Sequence, residues 1–194
     1  MSEVGTIAVI GAGALGRNIA QLSALGGFPT ILEDILPASL SRAGNEIRAA
    51  LGNAVADRTL AQPTVDAALA RIEYASSVEQ AARSADLVIE AVPDELESKI
   101  EIFTLLDKVA KPATILVSTT ALISVTELAS VTYRAKKILG MRFLLPIDRA
   151  RPLEIIRGQE TDDETYAAGV EVARRMGLKV AVIQESRSAA EAGC

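Results

Sequence analysis

Residues 6–16 decide the fold of this chain, and they read Thr6-Ile7-Ala8-Val9-Ile10-Gly11-Ala12-Gly13-Ala14-Leu15-Gly16. A short apolar run, rich in β-branched residues, leads directly into a Gly-x-Gly-x-x-Gly pattern. A helix-like segment follows and ends at Gly26-Gly27, and residues 29–34 predict a second strand that ends in acid. The order strand, glycine turn, helix, strand is the context in which this pattern forms a dinucleotide-binding turn.

The glycines of this turn have separate purposes. Gly11 permits the tight turn, Gly13 lets the backbone approach a pyrophosphate, and Gly16 lets the helix pack close to the sheet. Free N–H groups and the dipole at the helix start attract the anion. The residues predicted to contact the cofactor in this turn are Gly11, Ala12, Gly13, Ala14, Leu15 and Gly16. The alternative is a tight turn in an α/β domain that binds no nucleotide.

Asp34 lies 23 residues after Gly11, where an acid that binds both ribose hydroxyls is expected. No arginine follows it at once to accept a 2′-phosphate, so the predicted cofactor is NAD rather than NADP.

The composition of the 194-residue chain indicates one sizeable globular domain. The net charge of −5 argues against nucleic-acid binding, and no apolar run reaches the roughly 20 residues of a membrane span. Because Met1-Ser2-Glu3 does not resemble the start of a signal peptide, a cytoplasmic protein is expected. The single cysteine, Cys194, excludes an internal disulfide and a thiolate metal cluster.

Histidine is absent from the chain, which removes the usual general base at neutral pH and the usual zinc ligand. Ser-His and Cys-His nucleophilic catalysis are therefore excluded. No metal site is predicted, and acid–base chemistry falls to Asp, Glu, Lys, Tyr or a cofactor.

Strands and helices alternate along the whole chain. Further strands are predicted at residues 72–75, 86–92, 114–118, 137–143, 153–156 and 179–183. Helices are predicted at residues 37–58, with Gly44 and Gly52 as points where it breaks or bends, at 64–71 and 96–109, and after caps at Ser77, Ser124 and Thr161. This alternation predicts a single doubly wound α/β domain of the Rossmann type, with about seven or eight mostly parallel strands, over residues 1–184 and a flexible tail at 185–194. Ligands of such sheets bind outside the carboxyl ends of the strands.

Six stretches occur in the order and spacing of a known family. They are residues 7–20, 85–93 (Ala-Asp-Leu-Val-Ile-Glu-Ala-Val-Pro), 115–120, 123–129, Gly140-Met141 and Leu153-Glu154. The chain resembles the N-terminal, NAD-binding domain of the 3-hydroxyacyl-CoA dehydrogenase family over residues 6–183.

The resemblance implies how the cofactor is held. It places Asp34 on the adenosine ribose and Ala91-Val92 near the middle of the dinucleotide. Asp94 stands where the family has a cofactor-contacting Glu, and Lys99 where it has a cofactor-contacting Lys. The alternative for Lys99 is a solvated helix lysine that pairs with Glu95. Thr119 is also predicted to contact the cofactor.

The resemblance fails at the catalytic residues. The family reads Asn-Thr-Ser-Ser where this chain has Thr119-Thr120-Ala121-Leu122, so the substrate-contacting serine is Ala121. In Gly-x-His-Phe-x-Asn-Pro, the family's histidine is replaced by Arg142 and its asparagine by Leu145; its histidine-orienting glutamate is kept as Glu154. The family continues into a helical second domain, and this sequence is expected to stop before it. Because a guanidinium is already protonated at neutral pH and cannot accept a further proton, the family's His–Glu mechanism is ruled out here.

Two functions follow as hypotheses. The first is an NAD-dependent oxidoreductase of altered substrate range, acting on a small molecule or an acyl thioester. Arg142 would anchor an anionic substrate, Glu154, Thr119 and Thr120 would line the site, and Arg149 and Arg151 would add positive charge or form a solvated loop. The second is a non-catalytic NAD-binding sensor, or a subunit whose site a partner protein completes, with Arg142 and Glu154 as a structural ion pair. A scaffold that no longer binds a cofactor is a third alternative.

A homodimer is expected as well, because apolar surface that the family covers with its second domain would be bare.

Overall fold

The computed structural model describes residues 4–144, 147 and 151–185, in which strands and helices alternate. The strands are β1 (Ile7–Ile10), β2 (Thr30–Glu33), β3 (Ile72–Ala75), β4 (Leu87–Glu90), β5 (Ile115–Ser118), β6 (Ile138–Arg142), β7 (Leu153–Arg157) and β8 (Val180–Gln184). The α-helices are α1 (Ala14–Leu25), α2 (Pro37–Ala56), α3 (Gln62–Leu69), α4 (Val78–Ser84), α5 (Leu96–Val109), α6 (Val125–Ser130) and α7 (Asp163–Arg175). A short 3₁₀ turn at Ala135–Lys137 precedes β6.

The strands form a single sheet in the order β3-β2-β1-β4-β5-β6-β7-β8. Every neighbouring pair is parallel except β6 and β7, which are antiparallel. The last residues of the central strands are in register, because Ile10 lies opposite both Glu33 and Glu90, and Glu90 lies opposite Ser118. The predicted doubly wound α/β fold is confirmed.

Helices bury the sheet on both faces, as parallel strands require. One core lies beneath α1, α2, α3 and α7 and includes Ile19, Phe28 and Leu51. The other lies beneath α4, α5 and α6 and includes Phe103 and Leu106, both fully buried. The central strands are apolar on both sides, which explains why they read as continuous apolar runs rather than as alternating patterns.

The hydrogen bonds at the helix N-termini test the predicted capping residues. Ser77 Oγ accepts a hydrogen bond from the Gln80 N–H at 3.2 Å, and Ser124 Oγ accepts one from the Glu127 N–H at 3.1 Å, as predicted. The predicted cap at Thr161 is wrong by one residue. Asp162 caps α7 by accepting from the Thr165 N–H at 2.7 Å, because the Thr161 hydroxyl instead donates to the Ile138 carbonyl at 2.6 Å.

The longest described helix, α2, is continuous, so it does not break at Gly44 or Gly52, and a bend at these glycines stays a prediction. Gly44 is a point of close packing: a Cβ at this position would lie 2.8 Å from the Tyr74 hydroxyl. Neither α2 nor any other helix in the described part of the chain combines the length and apolarity needed to cross a membrane.

Two glycine substitutions test this packing. In β6, a Cβ at Gly140 would lie 2.8 Å from Val125 Cγ2 and 3.0 Å from Ile156 Cβ, whereas a Cβ at Gly52 on α2 would meet nothing within 4 Å. We expect Gly140→Ala to lower the free energy of unfolding by about 1–3 kcal/mol. Gly52→Ala should raise it by about 0.5–1 kcal/mol, since alanine favours a helix. Urea denaturation measures both, and a Gly140→Ala protein as stable as the parent would contradict the tight contact between β6, β7 and α6.

Candidate cofactor and substrate site

Four predicted cofactor residues and Arg142, a predicted catalytic residue, form one row along the carboxyl edge of the sheet. Asp34, Gly11, Ala91 and Thr119 directly follow β2, β1, β4 and β5, and Arg142 ends β6. Since neighbouring strands lie about 4.8 Å apart, the four strand spacings from Asp34 to Arg142 span about 19 Å. The row can therefore contact an extended ligand at the end of each of these five strands.

The glycine turn, residues 11–16, brings the start of α1 close to the row of strand ends. Gly11 has φ of 100°, a left-handed conformation, and a Cβ there would lie 2.9 Å from the Ala91 carbonyl oxygen. A Cβ at Gly16 would lie 1.8 Å from the Gly11 oxygen, whereas one at Gly13 would meet nothing within 4 Å. No side chain caps the start of α1 in the structure. The helix start is therefore open to an anion, beside a glycine that leaves space for it.

Asp34 is fixed in the position expected for a ribose ligand. Its Oδ2 accepts a hydrogen bond from the Ala12 N–H at 3.0 Å, and its Oδ1 accepts one from the Leu36 N–H at 2.9 Å. Each carboxylate oxygen retains accepting capacity for a hydroxyl. With the open helix start, the residues present fit a dinucleotide that has a free ribose diol.

Glu33, next to Asp34, is buried in β2 with 3% of its surface exposed. Burial raises the pKa of its carboxyl to about 7, and the negative charges of Asp34 and Glu79 add to the effect. The adenosine end of the row therefore contains two adjacent carboxyl groups, one half-exposed and one buried.

Behind the centre of the row lies a buried ion pair between Glu90, at the end of β4, and Lys99 of α5. Lys99 Nζ lies 2.8 Å from each Glu90 carboxylate oxygen, and both side chains are 0% exposed. The alternative prediction of a solvated Lys99 paired with Glu95 is therefore wrong. A direct contact between Lys99 and the cofactor stays a prediction, and in this structure the ammonium is enclosed by protein.

Glu90 also accepts hydrogen bonds from two neighbouring groups. Its Oε2 accepts from the Ser118 hydroxyl at 2.9 Å, and its Oε1 accepts from the Val92 N–H at 2.8 Å. Burial raises the pKa of the Glu90 carboxyl, against the opposing charge of Lys99 and these hydrogen bonds. Sequence reasoning missed Glu90 and Ser118, although a carboxylate within an apolar strand was a usable signal, since buried charges require partners.

The loop after β5 is held by Asp94, whose carboxylate accepts from the Ala121 N–H at 3.0 Å. Burial alone would raise the pKa of Asp94, but hydrogen bonds from Thr120 and Ala121, with the charge of Lys99 at 3.6 Å, hold it below its ordinary value. The Thr120 oxygen also accepts from the N–H groups of Leu122 and Ile123. The Thr120 side chain is thus committed to the turn and is 1% exposed.

At the far end of the row, Arg142 and Glu154 form the ion pair that the sequence offered as an alternative. They are cross-strand neighbours in β6 and β7, and Arg142 Nη1 lies 2.8 Å from Glu154 Oε2. Both side chains are partly exposed, at 31% and 28%. Arg151 is exposed, whereas Leu145 and Arg149 lie outside the described residues.

Within the described ranges, no group of three or more His, Cys, Asp or Glu side chains is arranged to hold a metal ion.

These features define a dinucleotide-binding α/β domain. Residues 6–186 match the family described as "3-hydroxyacyl-CoA dehydrogenase, NAD binding domain", and the chain belongs to that family. NAD is accordingly its cofactor.

Known relatives agree with this assignment. A 3-hydroxybutyryl-CoA dehydrogenase of Bradyrhizobium diazoefficiens is 36% identical over 179 residues, covering 92% of this chain and 61% of the relative. The crystal structure of 3-hydroxybutyryl-CoA dehydrogenase from Escherichia coli K12 has a TM-score of 0.91 and 31% identity, covering 95% of this chain and 39% of that one. The crystal structure of 5-formyl-3-hydroxy-2-methylpyridine 4-carboxylic acid 5-dehydrogenase, an NAD⁺-dependent dismutase, has a TM-score of 0.82 and 26% identity, covering 97% of this chain and 60% of that one. The chain spans about three fifths of the length of three curated relatives that are 33–36% identical to it.

The buried carboxyl of Glu33 predicts a pH-dependent stability. Its folded pKa of about 7 exceeds its ordinary value of 4.5, so the folded protein binds the proton more tightly, and stability falls as pH rises between these values. Glu33→Gln removes the charge and should raise the free energy of unfolding at pH 8 by about 1–3 kcal/mol, with a smaller gain at pH 5.

Urea denaturation at the two pH values measures this gain. Glu73→Gln, at an exposed position on β3, is the matched control and should change stability by less than about 0.5 kcal/mol at either pH. A gain for Glu33→Gln that does not grow with pH would contradict the raised pKa.

Proposed function

We propose that this domain binds NAD(H) in an oxidoreductase of altered substrate range, which acts on a small or carrier-bound carbonyl or hydroxy compound that bears negative charge. The observation that supports it is the row of strand ends, with an open helix start and a fixed Asp34 at one end and a cation, Arg142, at the other. Bound NAD(H) would supply or accept the hydride, and the chain would hold the substrate at the Arg142 end.

The side chains at the substrate end set the chemistry. Arg142 cannot take a proton from a hydroxyl group at neutral pH, and Ala121 has no hydroxyl to donate. Arg142 can polarise a carbonyl oxygen or bind an anion, with Glu154 holding the guanidinium. Thr119, which is 8% exposed, is proposed to contact both cofactor and substrate.

A non-catalytic NAD-binding sensor or partner subunit is the second candidate. It is favoured by the Arg142–Glu154 ion pair, in which Glu154 already accepts from Arg142 Nη1. An ion pair of this kind can have a purely structural role. The two candidates differ in turnover and not in cofactor affinity. NADH binding without consumption of any small oxo acid or acyl thioester would favour the second.

Assembly and location stay predictions: a homodimer in the cytoplasm, with the domain ending at residue 184. Glu185, which begins the predicted tail, accepts hydrogen bonds from the N–H groups of Val125 and Thr126, both at 2.9 Å.

Asp34 gives the cofactor prediction. Its carboxylate would accept hydrogen bonds from both ribose hydroxyls and repel a 2′-phosphate, so the protein should bind NADH more tightly than NADPH. Asp34→Ala should weaken NADH binding by about 1.5–3 kcal/mol, the range for hydrogen bonds to a charged group, and reduce the preference for NADH.

Fluorescence titration of NADH and NADPH measures both effects. Asp66→Ala, at an exposed position on α3, is the matched control and should leave both affinities unchanged. Equal affinities of the parent protein for the two nucleotides would contradict the role of Asp34.

The substitutions at Arg142 and Ala121 predict the loss of the family's ordinary reaction. Since general acid–base catalysis contributes about 10²–10⁴ in rate, NADH oxidation with acetoacetyl-CoA should be slower by at least this factor than for a histidine-containing relative. The Escherichia coli 3-hydroxybutyryl-CoA dehydrogenase, assayed in parallel, provides the reference. A comparable rate from this protein would overturn the account of Arg142.

A further inference from the structure

Among the described residues, one edge of the Arg142 guanidinium has no hydrogen-bond partner. Glu154 accepts from Nη1 at 2.8 Å, whereas Nε is buried and has no hydrogen-bond partner. No hydrogen bond joins Nη2 to any of the described residues. A buried donor left unpaired costs about 1–3 kcal/mol, so an unpaired Nε in a partly exposed side chain marks a place where an acceptor is expected.

The unpaired edge has a defined shape. Nε and Nη2 lie on the same side of the planar guanidinium and direct two nearly parallel N–H groups outward. Two oxygens of one carboxylate match this spacing, whereas a ketone or thioester oxygen can occupy only one of the two donors. Because Glu154 occupies the other side of the guanidinium, it fixes the plane and leaves this edge directed away from itself.

The charge of Glu154 and the neighbouring apolar side chains restrict the chemical class of ligand further. Glu154 already balances the charge of Arg142, so a monoanion is better accommodated than a dianionic phosphate, which would add more repulsion with the Glu154 carboxylate. Leu122 and Leu144 follow the carboxyl ends of β5 and β6, and they are 86% and 44% exposed. They offer apolar surface near this end of the row for the short body of such a ligand.

We propose that Arg142 is the receptor for a free carboxylate group, bound through Nε and Nη2, and that the substrate is a short oxo- or hydroxycarboxylic acid rather than a thioester. This inference rests on the proposed function, in which the substrate lies at the Arg142 end of the cofactor row. It assigns Arg142 a direct role in substrate binding and gives Glu154 the role of holding the guanidinium.

The test compares acetoacetate with acetoacetamide, an uncharged molecule of nearly the same shape. Each is titrated by calorimetry into the protein saturated with NAD⁺, which cannot reduce either compound. The parent protein should bind acetoacetate at least about tenfold more tightly than the amide, and Arg142→Lys should lose about this factor, because lysine keeps the charge but not the paired donors. Arg83→Gln, at an exposed position on α4 to which no role in the site is assigned, is the matched control and should bind acetoacetate like the parent.

Two further measurements separate this inference from the proposed function. NADH titration of the same variants should give equal affinities, which shows that Arg142→Lys has not disturbed the cofactor edge. The acetoacetate titration is also repeated without nucleotide. If the protein does not bind NADH, the proposed function is refuted, but the nucleotide-free titration still tests whether Arg142 binds a carboxylate. Equal binding of acetoacetate and acetoacetamide, unchanged binding by Arg142→Lys, or no acetoacetate binding at millimolar concentration would each overturn the carboxylate receptor.

Discussion

The buried ion pair of Glu90 and Lys99 holds together the centre of the ligand-binding edge. Taking a carboxylate and an ammonium out of water costs several kcal/mol for each ion, so the pair is tolerable only with close and complete contacts. Ser118, the Val92 N–H and Asp94 supply the contacts that the two ions do not give each other. In meeting this requirement, the chain fixes the turn after β4 and, through Asp94, the loop after β5. Both segments border the middle of the cofactor row, so their shape depends on a contact that the cofactor itself need not touch.

Local signals explain why much of the fold could be predicted from the sequence. The bounds of α5 were read from its apolar stripe, and the glycine turn from a pattern whose geometry depends on a few adjacent residues. Predictions failed where a side chain had a distant partner. Thr161 resembles a helix cap, but its hydroxyl is taken by the Ile138 carbonyl in a strand 23 residues earlier. The alternative of a solvated Lys99 failed because its partner, Glu90, lies in β4, and only the folded sheet places α5 above it.

The two ends of the row were predictable to different degrees for a related reason. The cofactor end relies on backbone: an open helix start, close approaches at Gly11 and Gly16, and one carboxylate held by N–H groups. Such features follow from glycine positions and strand order, which the sequence displays directly. The proposed substrate end depends on side-chain chemistry, where one substitution can change the reaction without altering the fold. Arg142 occupies the end of a regular strand and pairs across to β7, so the sheet accepts it readily, yet it cannot transfer a proton as histidine does.

The proposed reaction must therefore manage its proton differently from the family's ordinary one. A guanidinium can hold an oxyanion or a carboxylate, but it stays protonated near neutral pH and neither gives nor takes a proton there. Reduction of a carbonyl places a proton on the new hydroxyl, and oxidation removes one, so this proton has to be exchanged with another group or with water. The partial exposure of Arg142 and Glu154 places the ion pair in contact with solvent, which makes water an available partner. The proposed site lacks the rate enhancement of a positioned base but gains a cation that binds an anion. It suits a substrate for which the protein contributes more to binding than to proton transfer.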